Sequence, residues 1–433
     1  MNGQFRDTPH STASSASQQA HVAGDSSSQE KAAPTNSFLP QDDRSVTSAV
    51  VTTAAATPQA IPDNLVPDEE EEEADEVDAA SNLAVGPPRR ALPSELYTRI
   101  AQVGEGTYGQ VFKAKSERTN VLVALKKIRM EAEKDGFPIT AMREIKLLQI
   151  LKHQNVVRLH EIMTARGSVY MVFEYMEHDL NGVLNHPKVH FTPAHLKSLA
   201  SQLLEGLGYL HHKAVLHRDL KGSNVLLNNA GLLKLADFGL ARLYAKGRTG
   251  DYTNRVVTLW YRPPELLLGA TQYGAEVDMW GAGCIFLELF NRRPIFQGTD
   301  EISQLQVISD LVGPLTEERW KGMESLPWWE LVRPHEPQET VQDAAEAQET
   351  QDQQHSRRRL SLFETTLTPG ALKLAEALLT LDPRKRVSAA EALQMDYFVK
   401  EKPKARLPSS VLSSLKGEWH ELESKRARQK GRA

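Results

Sequence analysis

Four side chains suited to phosphate chemistry fall within nineteen positions: Asp219, Lys221, Asn224 and Asp237, in the run VLHRDLKGSNVLLNNAGLLKLADFGL from Val215 to Leu240. Moving a phosphoryl group to a hydroxyl asks little covalent chemistry of a protein; metal must be held, phosphate charge neutralised and the acceptor aimed. The residue types match those tasks. Asp219 can orient or deprotonate a hydroxyl, Asn224 and Asp237 offer hard oxygen ligands suited to magnesium, and Lys221 can sit against the transferring group. Polar loops that satisfy only their own turns carry such residues too, and a lone HRD or DFG triplet recurs by chance. Both triplets together, in this order and at this spacing, are specific.

The elements that must position these groups lie upstream. Tyr97 to Lys115 reads YTRIAQVGEGTYGQVFKAK, a strand-turn-strand pattern punctuated by Gly104, Gly106 and Gly109, where backbone amides can approach phosphate oxygens. Glu105, Thr107 and Tyr108 fill the turn, and Val103 and Val111 flank it as apolar cover for a flat base. Taken alone, this glycine pattern is weak and suits a plain hairpin better. The following VLVALKKIRM reads as a strand whose period of two sets Ala124 and Lys126 on one face. Most lysines are solvated, as Lys127 is expected to be, whereas Lys126 inside an apolar strand is expected to meet phosphates. Such an ammonium wants a carboxylate. Glu144 in FPITAMREIKLLQIL supplies one, on a helix whose Met142, Ile145 and Leu148 are expected to form the packing face. Farther on, FTPAHLKSLASQLLEGLGYLHH has Thr192 as N-cap, Pro193 in the first turn and Leu196, Leu199, Leu203, Leu207 and Leu210 at helical spacing.

This order of parts resembles the eukaryotic protein kinases over about residues 97 to 400, and PITAMRE (Pro138 to Glu144) resembles the PSTAIRE-type helix of the cyclin-dependent kinases. The resemblance implies an α+β, bilobal protein kinase fold over 97–398. A small β-rich lobe with one regulatory helix (97–176) would precede a large, mainly helical lobe (177–398). ATP and Mg2+ are implied as cofactors. Asp219, Lys221, Lys126, Glu144 and Thr258 would be catalytic, Thr258 tying Asp219 to Lys221 and Lys126 pairing with Glu144 in the active state. Asn224 and Asp237 would hold the metal. In VYMVFEYMEHDL, Phe173 would be the gatekeeper, Glu174, Tyr175 and Met176 would offer hinge groups to adenine, and Asp179 would hold the ribose. Val103, Gly104, Glu105, Gly106, Thr107, Tyr108, Gly109, Val111, Ala124, Lys126 and Leu226 would complete the ATP contacts.

In DYTNRVVTLWYRPPELLLG, Thr253 stands where that family is phosphorylated, with Arg143, Arg218 and Arg242 to receive the phosphate. Val256, Val257 and Arg262 would accept a proline after the target residue. Glu265 with Arg386, and Asp278, match the family's architectural ion pair and loop anchor. PITAMREIKLL, the hinge YMEHDL and the tail GEWHELESKRARQK narrow the resemblance to the RNA polymerase II C-terminal-domain kinases of transcription elongation, the fungal catalytic subunit and its animal counterparts. In that group a tail His-Glu pair, here His420 and Glu421, folds back toward ATP. A cyclin, an upstream kinase for Thr253 and the repeat of the polymerase's largest subunit are then the implied partners, with no nucleic acid and no membrane. Alternatives are a cell-cycle or other cyclin-dependent kinase, in which Thr107 and Tyr108 can be regulatory phosphosites, and a pseudokinase scaffold, against which the retained catalytic residues speak. PPE in place of APE is a small departure from the pattern. A larger one is RPHEPQETVQDAAEAQETQDQQHSRRR, read as a surface insertion at about 336–355, since added loop length costs little closure entropy.

Composition bounds the rest. The chain has 433 residues, 25% charged and 40% hydrophobic, enough for a two-lobe unit with tails. Residues 1–93 are rich in Ser, Ala, Gln, Thr and Pro, with Phe5 and Phe38 as their aromatics, and are expected to stay disordered. A net charge of −5 conceals an acidic run starting at Asp68 and a C-terminal extension, 399–433, whose last ten residues carry five lysines and arginines. KRARQKGR points to the nucleus. No signal-peptide core follows Met1 and no run of eighteen apolar residues occurs, so a soluble intracellular protein is expected. Cys284 is the sole cysteine, which excludes disulfides within the chain.

Overall fold

Alternating apolar and β-branched residues make the start of the described chain a sheet. The computed structural model describes residues 96–106, 109–128, 137–165, 168–244, 251–332 and 363–421, all within one compact unit, 84–433. Expectations for 1–93, Thr107, Tyr108, the 336–355 insertion and the basic end of the chain lie outside those residues. Five antiparallel strands, β1 (Tyr97–Gly106), β2 (Gly109–Ser116), β3 (Leu122–Ile128), β4 (Leu159–Ala165) and β5 (Ser168–Glu174), stand in the order β1-β2-β3-β5-β4. The pleat sends side chains to two faces. Ala114, Val123, Leu125, Tyr170 and Val172 close a small core on one of them. The other carries Ala124 and Lys126, paired across the ladder with Phe173 and Met171, toward the large lobe.

Helix α1 (Ile139–Ile150) packs Ala141, Glu144, Ile145, Leu147 and Leu148 inward. Met142, expected on the packing face, is instead 41% exposed. The buried stripe centres on 141, 144, 145 and 148, which leaves 142 beyond its margin beside Arg143. Ile139 is also exposed.

The large lobe contains α2 (Leu180–Asn185), α3 (Pro193–His212), α4 (Pro264–Leu267), α5 (Glu276–Asn291) and α6 (Glu301–Val312), with further helical segments from Trp329 to Leu412. Helix α3 starts as its sequence predicts: Thr192 accepts the His195 N–H while the His195 ring accepts the Thr192 N–H, a reciprocal cap. Its five leucines at helical spacing are all buried. Helix α5 is buried from Val277 to Leu289, the mark of a helix at the centre of a lobe. Two small ladders do the positioning. The strands β6 (His178–Asp179), β8 (Val225–Leu227) and β9 (Leu233–Leu235) form one, and β7 (Val215–Leu216) with β10 (Arg242–Leu243) forms the other. Between them they bring the segment 217–224 alongside 236–241.

Buried charge anchors this frame. Arg386 reaches Glu265 through two hydrogen bonds of 2.7 and 3.0 Å, and its guanidinium lies 5.1 Å from the Trp280 ring centroid. Asp278, at the start of α5, accepts the backbone N–H groups of His217 and Arg218, each at 2.8 Å. Cys284 is buried on α5, and burial pushes its thiol well above the ordinary range. Among the described residues no helix is long and apolar enough to cross a membrane.

Candidate active site

A cavity of about 380 Å³ opens between the sheet and the large lobe. Val103, Val111 and Ala124 line it from the strands, Leu226 from β8, and Phe173, Glu174, Tyr175 and Met176 from β5 and the segment after it. Gly104, Glu105 and Gly109 line its edge, and Gly106 ends β1. Val157, Ser223 and Ala236 also line it and escaped the sequence reading. Val157 is held there by its N–H bond to the Leu235 carbonyl, at 2.9 Å, a contact between segments far apart in sequence.

Lys126 is the hub of the upper half. Its Nζ stands 2.8 Å from Glu144 Oε1 and 2.9 Å from Asp237 Oδ1, so one ammonium joins β3, α1 and the segment after β9. Burial acts to lower the Lys126 pKa, but the carboxylates of Asp237 and Glu144 outweigh it and hold the ammonium firmly charged. Asp237 shows the same contest with the opposite sign: burial pushes it up, and Lys126 draws it below the usual carboxylate value. For Glu144, burial prevails over Lys126 and its carboxyl is raised.

Asp219 is the hub of the lower half. Oδ1 accepts the Thr258 hydroxyl at 3.0 Å, while Oδ2 accepts Lys221 Nζ at 2.7 Å and Asn224 Nδ2 at 2.9 Å. Lys221 also reaches Thr258 Oγ1 at 3.4 Å. Because the Asn224 amide nitrogen is engaged by Asp219, its oxygen is the end left for a cation; Asp237 likewise keeps Oδ2 while Oδ1 meets Lys126. Among the described residues no cluster of three or more His, Cys, Asp or Glu could hold a metal alone. Two hard oxygen donors suit magnesium, which keeps water and phosphate oxygens in its shell. The backbone beneath is strained: Arg218, Asp237 and Val257 have φ of 63°, 63° and 65°.

The tail reaches this cavity. The Asp179 N–H donates to the Trp419 carbonyl at 3.1 Å, and the Trp419 N–H donates to His178 Nδ1 at 3.1 Å. Glu418 accepts the Tyr175 hydroxyl at 2.6 Å and pairs with Lys113 of β2. His420 and Glu421 line the cavity. Asp179, expected at the ribose, lines it too, but its carboxylate accepts the Gly182 N–H on Oδ1 and the Glu421 N–H on Oδ2, both at 2.7 Å. A carboxylate that caps α2 and ties down the tail has fewer lone pairs left for a sugar.

In the segment 251–269, the expected activation segment, Thr253 is exposed, and its carbonyl accepts the Tyr273 hydroxyl at 2.7 Å. Arg218 Nη1 donates to that same hydroxyl at 3.1 Å, and the Arg242 guanidinium lies 5.2 Å from the Tyr252 ring centroid. Two arginines thus approach the Thr253 region by way of tyrosines that no motif singles out. Arg143 is exposed on α1.

Residues 97–398 match the protein kinase domain family. The chain is 52% identical over 338 residues to the CTD kinase subunit alpha of Schizosaccharomyces pombe, an alignment covering 78% of this chain and 54% of that one. It thus spans about half the length of that relative. It is 45% identical over 369 residues to cyclin-dependent kinase C-1 of Arabidopsis thaliana (80% and 68% covered), and 48% identical over 315 residues to cyclin-dependent kinase 9 of Danio rerio (70% and 80% covered). Among solved structures, the yeast RNA Pol II CTD kinase CTDK-1 complex superposes with a TM-score of 0.65 at 45% identity, over 75% of this chain and 99% of the matched one. With the Lys126 and Asp219 hubs on a bilobal frame and these matches over most of its length, the chain belongs to the protein kinase family, among the cyclin-dependent kinases.

Proposed function

We propose that the chain is the catalytic subunit of a cyclin-dependent serine/threonine kinase. In this reading it transfers the ATP γ-phosphate to Ser or Thr followed by Pro, in the nucleus, on the C-terminal repeat of the RNA polymerase II largest subunit during transcription elongation. The observation that carries the activity is Lys126 joined to both Glu144 and Asp237 across the cavity from an Asp219 held by Thr258 and Lys221. The substrate assignment is supported by similarity to CTD kinase alpha subunits of two yeasts.

Adenine would lie between Val103, Val111, Ala124 and Leu226, with backbone groups of Glu174 to Met176 at its edge. Asn224 and Asp237 would hold magnesium, which neutralises phosphate charge when bound. Lys126 presents its ammonium to the phosphates. Asp219 aims the acceptor hydroxyl and takes its proton, and Lys221 offsets the charge that develops beside it. The Val256 and Val257 carbonyls are both bonded to Arg262, which draws them toward the guanidinium and away from the residue after the target. Proline lacks an N–H and loses nothing there, whereas any other residue would bury an unpaired donor. His420 and Glu421 line the cavity, which supports a nucleotide contact by the folded-back tail. A cyclin would cover the exposed Ile139 and Met142 of α1, and phosphate on Thr253 would draw in Arg143, Arg218 and Arg242.

The test is phosphate transfer to a polymerase-repeat peptide by the full chain in complex with its cyclin. Asp219→Asn should lower kcat by about a thousandfold with ATP affinity retained. Full transfer by that variant would overturn the role given to Asp219. Transfer to other Ser-Pro peptides with none to the repeat would remove the substrate assignment alone.

A further inference from the structure

The pocket after the target residue is built on a backbone that valine resists. Val257 has φ 65°, where a β-branched side chain is an outlier, and such strain persists only when the surroundings impose it. Its N–H donates to the Arg218 carbonyl at 3.1 Å. Its carbonyl accepts Arg262 Nη2 at 3.1 Å and Nε at 3.3 Å, and the Val256 carbonyl accepts Nε at 3.0 Å. One guanidinium edge therefore engages two successive carbonyls. A planar fork on a flexible stem loses further rotamers when its other edge is held as well.

That other edge meets α6. Arg262 Nη1 donates to Glu301 Oε1 at 2.7 Å, with the arginine side chain 14% exposed and the glutamate 47%. Glu301 is the first residue of α6, and its backbone is set by a cap. Asp300 Oδ1 accepts the N–H groups of Ile302 and Ser303 at 3.0 and 2.9 Å, and Ser303 Oγ accepts the Asp300 N–H at 3.0 Å. The carboxylate is thus presented from a rigid helix start to the outward face of Arg262. Both residues line a second, open cavity with Leu259 and Ile302, next to the activation segment.

We infer that Glu301 is a positioning residue for proline selection: by holding the Nη1 edge of Arg262, it keeps the Val256 and Val257 carbonyls occupied and turned from the substrate. The inference rests on reading that pocket as the proline site. Without the carboxylate, Arg262 gains rotamers and the Val257 carbonyl is unpaired part of the time. A substrate N–H can then find an acceptor, and the cost of a residue other than proline falls.

The experiment uses the full chain in complex with its cyclin and three peptides identical except after the target serine, which is followed by proline, alanine or N-methylalanine. In Glu301→Gln the ratio of kcat/KM for the proline peptide to that for the alanine peptide should fall about threefold to fivefold, the size expected of a partly exposed ion pair. The change should lie in peptide KM, with ATP KM unaltered, and the N-methylalanine peptide, lacking the N–H, should follow proline. An unchanged ratio overturns the inference. So does a fall in all three peptides by one common factor, which is what a merely structural glutamate would produce. Equal use of proline and alanine peptides by the unsubstituted complex would overturn the proline-site reading itself, and this inference with it.

Discussion

Asp219 is held by donors from two stretches of chain: Lys221 and Asn224 are its near neighbours, and Thr258 comes from 39 residues on. The local pair is legible from spacing, because two and five residues along a tight loop cannot stray far. Thr258 was readable only through the family resemblance, and Tyr252 and Tyr273 were not readable at all, since a tyrosine near an arginine has no sequence signature. The Thr258 hydroxyl both donates to Asp219 and receives Lys221. Thr258→Val keeps the shape and removes both bonds, so kcat of the cyclin complex should fall about tenfold to a hundredfold, as for loss of a hydrogen bond to a charged group. ATP KM should not move, and Thr258→Ser should recover most of the loss. Steady-state kinetics of the three proteins would decide, and a silent valine variant would show that Lys221 and Asn224 position Asp219 without Thr258.

Among the elements, α5 links chemistry to stability. Its start holds the His217 and Arg218 amides through Asp278, and its far end carries Glu288, whose Oε2 accepts the buried Tyr261 hydroxyl at 2.8 Å. Burial pushes the Glu288 carboxyl up to about 7 from an ordinary 4.5. Between those values the folded chain keeps a proton that the unfolded chain releases, so stability from this group is full below pH 4.5 and is lost as pH rises to about 7. Glu288→Gln keeps an acceptor for Tyr261 and cannot titrate. Between pH 5 and 8 the native protein should therefore lose about 1–3 kcal/mol more stability than the variant, measured by urea unfolding at the two pH values. Parallel pH profiles would show that Glu288 is ionised in the folded state. The sequence marked α5 as an apolar helix around Cys284 but could not mark Glu288 as buried, since its partner lies on the activation segment.

Across the whole molecule the tail joins both lobes. Glu418 touches Lys113 and Tyr175, and the backbone of Trp419 and Glu421 bonds to His178 and Asp179. The Trp419 ring packs on His186, with centroids 4.2 Å apart. This docking depends on Gly182, where a Cβ would stand 2.1 Å from the Trp419 carbonyl oxygen. Gly182→Ala should therefore expel the tail. Amide exchange over 416–421 should quicken about tenfold or more while α3 stays protected, since local opening and global unfolding are separate equilibria. Unaltered exchange there would mean that α2 shifts to make room.

The two lobes followed from the family resemblance, and from the amino-acid order alone followed the capped helix α3, the Lys126 strand and the cluster around Asp219. Each depends on a short-range pattern: a period of two or of 3.6, a cap, a turn, or ligands a few residues apart. Only the folded chain decided that Met142 faces out, that both Asp179 oxygens are engaged by backbone amides, and that Tyr273 stands between Arg218 and Thr253. It alone decided that Glu301 closes the far side of Arg262. Apart from the local Asp179–Gly182 cap, those contacts join residues tens to hundreds of positions apart, and packing, which selects among many chemically equivalent partners, leaves no periodic trace in the chain.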